Sequence, residues 1–272
     1  MNDEQTLSVV VVNWNKRALL YDCLKASGAT ESPHRFIVID NGSTDGSQAM
    51  VRSRFPNVTL IANRDNLGFA AANNQGISAT NSHYILLLNS DTVASPQALQ
   101  DLVAFMEEHP DASACSPRLV RPDGTPQRYA YGGDPTILYL LRRALARLIL
   151  RRPLHDWATS DLQTVDWVSG ACMMVRREGI QQVGLLDEDF FMYFEDNDWC
   201  LRMRKHGWRI YYNPKVAITH LGGQSLVQNP HAQEAYHQSL KLFYKKHYTR
   251  TQQQLLTLLL RIYRHQRGSA TH

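Results

Sequence analysis

The chain has 272 residues, of which 43% are hydrophobic and 20% charged, a balance typical of a globular protein that buries a core. This composition excludes a disordered chain, a collagen-like repeat and a small disulfide-stapled scaffold. The four cysteines lie far apart with no Cys-x-x-Cys pair, so we expect reduced thiols and neither bridges nor zinc ligands. The length fits one large domain, or one domain with an appendage.

The net charge of +4 conceals an acidic body that carries two basic segments. Residues 137–155 hold five arginines and no acid, and residues 236–272 hold three lysines and four arginines, again without an acid. Together they contain 12 of the 29 cations, so the remainder has 17 cations against 25 acids. Such segments suit an anionic partner, but no nucleic-acid-binding motif accompanies them, and we expect no nucleic-acid partner.

Strand and helix patterns alternate from the N-terminus, which predicts a mostly parallel sheet covered by helices. Continuous apolar runs predict four buried strands, LSVVVVN, RFIVID, VTLIAN and HYILLLN. Helices are predicted over residues 16–27, 45–55, 68–80 and 95–109. The last of these helices has Ser95 as its N-cap and Pro96 in its first turn.

The regular alternation ends near residue 110. Seven prolines and glycines between residues 117 and 135 predict a loop-rich stretch, and the first basic segment predicts a helix after it. The remaining predicted elements are a strand over 165–177, helices over 179–184 and 195–207, and two short strands over 208–214 and 216–220.

The first basic segment has an amphipathic pattern when it is drawn as a helix. One side carries Leu138, Leu141, Leu145, Leu148 and Ile149, and the other carries Arg143, Arg147 and Arg151. This pattern is typical of a helix that lies on an anionic membrane surface, but also of an amphipathic helix packed on its own domain. The basic tail over residues 236–267 has a similar pattern, and self-association is the alternative to membrane contact there.

The N-terminus and the hydropathy pattern bear on location. The chain begins with an acidic stretch before a short apolar run, which is a poor secretory signal. No apolar run approaches the ~18–20 residues that span a bilayer. We therefore expect a cytoplasmic protein, with the basic segments as the means of peripheral attachment to the inner face of the cell membrane.

Polar residues follow three of the predicted strands at the points where they end. These are Asn13-Trp14-Asn15, Asp40-Asn41-Gly42-Ser43 and Asn89-Ser90-Asp91-Thr92. In an open parallel sheet, ligands bind outside these strand ends. Carboxylates there can accept hydrogen bonds from a nucleotide or bind a divalent cation, although Asp40 and Asp91 can also be explained as caps of the following turns.

The glycine-rich fingerprints of other nucleotide binders, GxGxxG and GxxxxGK[ST], are missing from the sequence. Phosphate charge would then be met most simply by a metal ion. Asp91 is the best ligand candidate, and His220 is the second, through a neutral imidazole. Gly222-Gly223, just after His220, would let the backbone approach a ligand closely, although a lone histidine is more often structural.

The densest acidic run surrounds the segment FFMYF at residues 190–194. Acids at 187–189 precede it, and Glu195, Asp196 and Asp198 follow it. The first turn of a helix favours each anion by ~0.3–1 kcal/mol. A carboxylate beside aromatic residues can have a raised pKa and act as a general base, but an acidic helix start without any catalytic role gives the same pattern.

Taken in order, these motifs resemble the inverting GT-A glycosyltransferases of family 2, in particular the bacterial rhamnosyltransferase-like members, over residues 7 to about 225. The matching motifs are VVVVNWN, VIDNGSTDGS, NRDNLGFAAANNQGI, LLLNSDT, WVSGACMMVRRE, FFMYFEDNDWCLRMRKHGWRIYYNP and THLGG. The resemblance implies an α/β GT-A fold with a Rossmann-like, mostly parallel sheet flanked by helices. We expect a glycosyltransferase domain over 1–225, with 137–155 as a basic amphipathic insertion, and a helical tail over 226–272.

The resemblance also implies a role for each candidate site residue. The donor-binding residues would be Asn15, Asp40 against the base, Asn66, Gly68, Asn73, Asp91, Trp167 and Gly170. Asp91, at the place of the DxD motif, and His220 would bind Mg²⁺ or Mn²⁺ at the diphosphate. Asp196 would be the catalytic base, with Glu195 and Asp198 supporting it or positioning the acceptor.

The implied reaction is inverting transfer of a sugar from a nucleotide-sugar donor to a growing surface or cell-wall polysaccharide on a lipid carrier. The resemblance favours dTDP-rhamnose as the donor, with UDP-sugars as the alternative. Asn89 stands where DxD has its first acid, which leaves the strength of metal dependence open.

Two other functions remain to be weighed. A haloacid-dehalogenase-type phosphatase would need an aspartate nucleophile at Asn89. A non-catalytic nucleotide-sugar-binding protein of the same fold would not need the Glu195-Asp196 pair that this chain retains.

Overall fold

The computed structural model describes residues 6–149, 151–222 and 230–268. The strands are β1 (Leu7–Asn13), β2 (Arg35–Asp40), β3 (Thr59–Ala62), β4 (Tyr84–Asn89), β5 (Thr92–Val93), β6 (Ala112–Val120), β7 (Tyr131–Gly132), β8 (Gln163–Thr164), β9 (Trp167–Val168), β10 (Cys172–Arg176) and β11 (Arg209–His220). The helices are α1 (Arg17–Ala26), α2 (Ser47–Arg54), α3 (Phe69–Ser78), α4 (Pro96–Glu108), α5 (Ile137–Leu148), α6 (Arg177–Val183), α7 (Glu195–Lys205), α8 (Pro230–His247) and α9 (Arg250–Gly268).

One large sheet organises the fold, with strand order β3-β2-β1-β4-β10-β6-β11-β5 and β8 paired to β11. Strands β1 to β4 run parallel, as do β6 and β11, whereas β10 is antiparallel to both of its neighbours. Strands β7 and β9 form a separate two-stranded sheet. The expected mostly parallel α/β sheet is confirmed.

The sheet is covered on both faces, which explains why its central strands read as unbroken apolar runs. Val9, Val10 and Val11 of β1 are fully buried, although consecutive side chains point to opposite faces. The predicted start of α4 is also confirmed, since Ser95 Oγ accepts the N–H of Ala98 at 3.2 Å. The four cysteines are buried and unbridged.

Strand β6 corrects the prediction of a loop-rich stretch after residue 110. It is nine residues long and pairs with β10 and β11 inside the sheet. Its Pro117 pairs with Asn213, after which the register shifts so that Arg118 pairs with Ala217. A bulge tolerates a residue without an N–H, which is why a proline occurs within this strand.

The same bulge explains a second difference on the neighbouring strand. The two short strands predicted over 208–214 and 216–220 are one strand, β11, with its irregularity between Asn213 and Ala217. Conversely, the single strand predicted over 165–177 is divided into β9 and β10. The chain leaves the ladder at Gly170, whose N–H donates to Asp196.

The C-terminal tail packs on the segment that precedes α7. A second hydrophobic cluster is made of Phe190, Phe194, Leu240, Phe243, Tyr244 and Leu256. Aromatic side chains of α8 therefore cover the backbone that leads into the acidic helix start. The predicted division at residue 225 falls within 223–229, outside the described residues.

Helix α5 turns its apolar side away from the protein. Leu138, Leu141, Leu145 and Ile149 are 49–68% exposed. Arg143 is half-buried, with its guanidinium 5.3 Å from the Tyr129 ring centroid. These four residues are therefore not packed on their own domain, while the side chains of the predicted Arg147 and Leu148 lie outside the described residues. Over the described ranges, no helix is both long and apolar enough to cross a membrane.

Candidate functional site

The carboxyl ends of β2, β1 and β4 lie side by side because β1 pairs with the other two strands. Asn13 is in register with Asp40, and Val12 is in register with Asn89. The polar strand ends found in the sequence therefore meet at one edge of the sheet. The candidate site is built on this edge and on the loops that face it.

Asp40 is fully buried and holds together the loop after β2. Its Oδ2 accepts from Asn13 Nδ2 at 3.0 Å, and its Oδ1 accepts from the Ser43 N–H at 2.9 Å and Gln48 Nε2 at 2.8 Å. Because the side chain is fully buried, a nucleotide base could reach this carboxylate only if the covering residues moved. Asp40 therefore orders the loop after β2, which leads into α2.

Asn15 fixes the loop after β1 against the loop after β2. Its φ is +51°, in the left-handed region that asparagine tolerates. Its Oδ1 accepts the Thr44 N–H at 2.8 Å, and its own N–H donates to Ser43 Oγ at 2.9 Å. The residue is exposed at the carboxyl end of β1.

The entrance to α3 makes a close contact with the loop before α7. Asn66 Oδ1 accepts from Asn41 Nδ2 and from the Gly68 N–H, both at 3.0 Å. Gly68 has a φ of +87°, and a Cβ there would lie 2.6 Å from the Phe191 carbonyl oxygen. The Phe69 N–H donates to the same oxygen at 2.8 Å. Only glycine permits this approach without strain.

Asn73 is placed differently from the other donor-site candidates. It is buried on α3, and its Nδ2 donates to the Phe69 carbonyl within the same helix at 2.9 Å. The next residue, Asn74, reaches outward and donates to Glu188 Oε1 and the Leu186 carbonyl, both at 2.9 Å. Asn73 therefore stabilises α3 below the site, and the sequence did not single out Asn74.

Asp91 lies between two basic side chains at the end of β4. Its Oδ1 is 3.1 Å from His220 Nε2, and its Oδ2 accepts from Lys16 Nζ at 2.7 Å. Burial would raise the pKa of this carboxyl, but the contacts with His220 and Lys16 outweigh it and hold the pKa well below its usual range. A Cβ at Gly222 would overlap Asp91 Oδ2, so the chain passes this carboxylate closely.

Gln127 sets the orientation of the His220 ring. Its Oε1 lies 2.8 Å from Nδ1, and because that oxygen only accepts, Nδ1 carries the proton. Nε2 of a neutral ring then faces the Asp91 carboxylate with its lone pair. Two such acceptors 3.1 Å apart are stable when a cation or a proton lies between them.

One carboxylate and one imidazole suit Mg²⁺ or Mn²⁺ as part of a ligand set. Across the described ranges, no group of three or more histidine, cysteine, aspartate or glutamate side chains is placed to hold a metal. The Asp91–His220 pair therefore fits a cation whose other ligands come from substrate or water.

Glu195 and Asp196 begin α7 after two strained residues. Tyr193 and Phe194 have φ values of +70° and +69°, which non-glycine residues rarely adopt. Asp196 is half-buried, with Oδ2 accepting the Gly170 N–H at 3.1 Å and Oδ1 accepting the Asn197 N–H at 2.8 Å. The turn therefore aims this carboxylate at the loop between β9 and β10.

The two adjacent carboxyls have different environments. Glu195 is buried, and its Oε2 has no hydrogen-bond partner among the described residues. Burial raises its pKa well above the usual value, and the charge of Asp196 raises it further. Burial also raises the pKa of Asp196, but the N–H groups of Gly170 and Asn197 act in the opposite direction. Asp196 is therefore the first of the pair to ionise.

Asp198 is occupied by structural contacts. Its Oδ2 accepts from Arg202 Nε at 2.7 Å, and its Oδ1 accepts from His247 Nε2 at 2.6 Å. The residue is 1% exposed. Its Oδ2 is thus used within α7 and its Oδ1 between α7 and α8, an arrangement suited to support rather than to acceptor contact.

The segment from β9 to β10 connects the acidic helix to the strand ends. A Cβ at Gly170 would lie 3.0 Å from the Phe69 ring, and the next residue, Ala171, accepts the Asn89 N–H at 2.9 Å. Asp196 bonds to Gly170, and Asn89 lies two residues before Asp91, so this segment links the start of α7 to the end of β4. Trp167, half-buried at its start, donates from Nε1 to the Gly133 carbonyl at 2.9 Å.

Several residues of this site were not predicted from the sequence. Lys16 follows a strand end that was recognised, so its position was the available signal. Gln127 lies in the stretch predicted as loop and reaches His220 across 93 residues of chain. Phe191 contacts α3 through its backbone carbonyl. Any residue type could make this contact, so the sequence gives no signal for it.

The sequence model of Glycosyl transferase family 2 matches residues 8–184. The chain is 31% identical over 259 residues to N-acetylglucosaminyl-diphospho-decaprenol L-rhamnosyltransferase of Mycobacterium tuberculosis, covering 87% of this chain and 83% of the relative. It is 28% identical over 204 residues to the low-salt glycan biosynthesis hexosyltransferase Agl10 of Haloferax volcanii, covering 73% of this chain and 62% of that one.

Solved structures show the same architecture. Mannosyltransferase PcManGT from Pyrobaculum calidifontis, in complex with GDP-Man and Mn²⁺, aligns with a TM-score of 0.62 and 18% identity over 90% of this chain. S. aureus TarS 1-349 aligns with a TM-score of 0.57 and 17% identity over 88% of this chain. The chain spans 64% of each of these two proteins. It has the GT-A fold and belongs to glycosyl transferase family 2.

Proposed function

We propose that this glycosyltransferase moves rhamnose from dTDP-rhamnose, with inversion, to a growing surface or cell-wall polysaccharide on a lipid carrier. The observation that carries the proposal is that the Asp91–His220 pair lies at the end of β4, while the segment Gly170-Ala171 bonds both to Asp196 and to Asn89 of that same strand. The name of the M. tuberculosis relative, an L-rhamnosyltransferase of a decaprenol-linked substrate, supports the sugar and the acceptor class.

Asp196 acts as the general base in this proposal. Two backbone N–H groups favour its ionised form, so it can accept the proton of the attacking acceptor hydroxyl. Glu195, buried beside it, stays protonated over a wider pH range and adds no second negative charge. The hydroxyl then displaces the nucleoside diphosphate in one step, which inverts the anomeric centre.

In this proposal Asp91 and His220 would hold a divalent cation, Mg²⁺ or Mn²⁺, which would supply the neutralisation of charge on the departing diphosphate. Gln127 keeps Nε2 of His220 free to act as a ligand. Because Asn89 replaces an acid, the chain supplies a single carboxylate here, which favours a cation that binds together with the donor.

We also propose that α5 and α9 contact an anionic membrane surface that carries the lipid-linked acceptor. Helix α5 packs against α9, and Leu255, Leu258 and Ile262 of α9 are 41–54% exposed, as are the leucines of α5 over a similar range. Arg142 and Arg261 are exposed on these two helices. Apolar residues bordered by cations fit a bilayer interface, and self-association of the tail is the competing explanation.

The proposed reaction is tested with the purified protein and a panel of donors: dTDP-rhamnose, UDP-glucose, UDP-N-acetylglucosamine and GDP-mannose. Each donor is incubated with polyprenyl-diphosphate-linked N-acetylglucosamine, with and without Mg²⁺ or Mn²⁺. We expect transfer from dTDP-rhamnose, and the product's anomeric configuration, read by NMR, opposite to the donor's. Transfer from a UDP-sugar alone would refute the donor, and retention would refute the mechanism.

The same assay separates this function from the two alternatives. A non-catalytic binding protein would bind a nucleotide sugar and leave it unchanged with every acceptor. A phosphatase would release phosphate from a generic phosphate ester such as p-nitrophenyl phosphate.

A further inference from the structure

We propose that Lys16 is a diphosphate-binding residue of the donor site. In the unliganded protein its ammonium group neutralises Asp91, and when a divalent cation and the donor bind, it releases Asp91 and pairs with the donor's diphosphate. This inference rests on the proposed function, because it assigns the ligand of Lys16 as a nucleoside diphosphate.

The backbone of Lys16 is held in place on both sides. The preceding Asn15 is fixed by Ser43 and Thr44, and the Lys16 carbonyl accepts the Leu20 N–H at 2.8 Å to begin α1. Because β1 lies beside β4, this loop presents Lys16 to the end of the neighbouring strand. The position of the lysine is therefore set by the fold.

The side chain of Lys16 can move, unlike its partner. Lys16 is 45% exposed, whereas the Asp91 side chain is 5% exposed and also contacts His220. The ammonium group lies 2.7 Å from Asp91 Oδ2, the oxygen that faces Gly222. A second cation at this carboxylate would face like-charge repulsion from the ammonium, so the two compete for Asp91.

Charge balance favours the diphosphate as the new partner of the displaced lysine. Asn89 leaves Asp91 as the acid of this motif, and Lys16 offsets its charge. A divalent cation then matches the doubly charged diphosphate of a nucleotide sugar. When the sugar is transferred, the leaving group acquires a further negative charge, and a nearby ammonium stabilises it.

The test compares two binding constants that the inference moves in opposite directions. Binding of Mn²⁺ alone is measured by electron paramagnetic resonance, and binding of dTDP and of UDP with saturating Mn²⁺ by calorimetry. In Lys16→Met, we expect Mn²⁺ alone to bind about threefold more tightly and dTDP about tenfold more weakly. Lys16→Arg keeps the charge and should restore most of the nucleotide affinity.

Lys215→Met is the matched control, since it removes an exposed lysine of β11 and should change neither constant. Unchanged dTDP affinity in Lys16→Met would overturn the inference, and so would a joint loss of both affinities, which indicates local damage. A wild-type protein that binds neither dTDP nor UDP would instead overturn the proposed function, and this inference with it.

Discussion

His247 Nε2, on α8, donates to Asp198 Oδ1, on α7, over 2.6 Å. Beside it, Lys246 forms ion pairs with Asp187 at 2.7 Å and Asp189 at 2.6 Å. The basic tail thus neutralises part of the acidic run that surrounds the proposed base. It follows that the tail and the helix bearing Asp196 are coupled in stability.

We expect Asp198→Asn to lower the free energy of unfolding at pH 7 by ~3 kcal/mol, since it removes one partner of a buried charged cluster. Burial would raise the pKa of Asp198, but the hydrogen bond of His247 and the charge of Arg202 lower it below the usual 3.8. Because the pKa of Asp198 is lower in the folded protein than in the unfolded chain, its ionised form stabilises the fold at pH values above the pKa of the unfolded chain. This stabilisation is lost as the pH falls through the pKa of the folded protein.

Urea unfolding at several pH values checks this expectation. The difference between wild type and Asp198→Asn should be largest near neutrality and should shrink as the pH drops below about 4. Asp161→Asn, at an exposed position, serves as the control and should show little effect. A difference that stayed constant over this range would contradict the proposed ionic contribution.

We expect Asp196→Asn to reduce the transfer rate at least ~100-fold while leaving donor affinity nearly unchanged, because it removes the base and preserves the shape of the side chain. Burial raises the pKa of Asp196 above the 3.8 usual for aspartate. The transfer rate of the wild type should therefore rise with pH over a range that lies above 3.8, as Asp196 ionises. Steady-state kinetics between about pH 4 and pH 8 measures both effects. Glu195→Gln, which keeps a neutral side chain, should retain more activity, and equal loss in both variants would argue against the assignment.

We expect His220→Asn and Gln127→Leu both to weaken Mn²⁺ binding in the presence of dTDP. The first removes a ligand, and the second removes the acceptor that fixes the ring, which costs about tenfold or more in comparable sites. Gln127→Glu supplies an acceptor again and should bind nearly as well as wild type. Electron paramagnetic resonance of bound Mn²⁺ gives the affinities. Full Mn²⁺ affinity in His220→Asn would exclude this residue as a ligand.

We expect Leu141→Glu combined with Leu145→Glu to abolish flotation of the protein with vesicles that contain anionic lipid. The change places charge at two side chains that are 49% and 55% exposed, so most of the thermal stability should be retained. Leu162→Glu, an exposed leucine outside both helices, is the control. If the wild type fails to float at low salt but forms dimers that the double variant loses, the surface is a self-association site.

We expect Gly68→Ala to destabilise the protein by roughly 1–3 kcal/mol, because the position has a φ of +87° and the new Cβ would lie 2.6 Å from the Phe191 carbonyl. Gly124 has a similar φ of +79°, but a Cβ there would have no atom within 4 Å. The loss of stability in Gly124→Ala therefore measures the cost of the left-handed backbone conformation alone. Chemical denaturation of both variants gives the comparison. Equal losses would show that the contact with Phe191 adds nothing.

The sequence predicts the first half of the fold well, because strands buried on both faces are unbroken apolar runs. Strand β6 escapes this signal because its residues are small or polar, and its Pro117 suggests a loop. Pro117 is accommodated by pairing with β11 at a bulge, a tertiary feature that local pattern does not reveal. The outward orientation of the α5 leucines was likewise undetermined, since an amphipathic pattern is the same whichever side is covered.

The sequence identified individual residues of the candidate site only where they directly follow a strand or begin a helix. Asp91 and Asp196 satisfy that condition, and the β9–β10 loop bonds to Asp196 and to Asn89, two residues before Asp91. Lys16 and Gln127 act on Asp91 and His220 across 75 and 93 residues of chain. Such partners depend on the folded arrangement and leave no local pattern in the sequence.

The bond from the Phe69 N–H to the Phe191 carbonyl also constrains how the enzyme can be re-engineered. It joins the half of the chain proposed to select the donor to the half proposed to carry the base. A chimera that exchanges the first hundred or so residues with those of a relative would have to keep glycine at position 68 and preserve the backbone path at residue 191. The seam between the two halves is therefore part of what such an exchange must preserve.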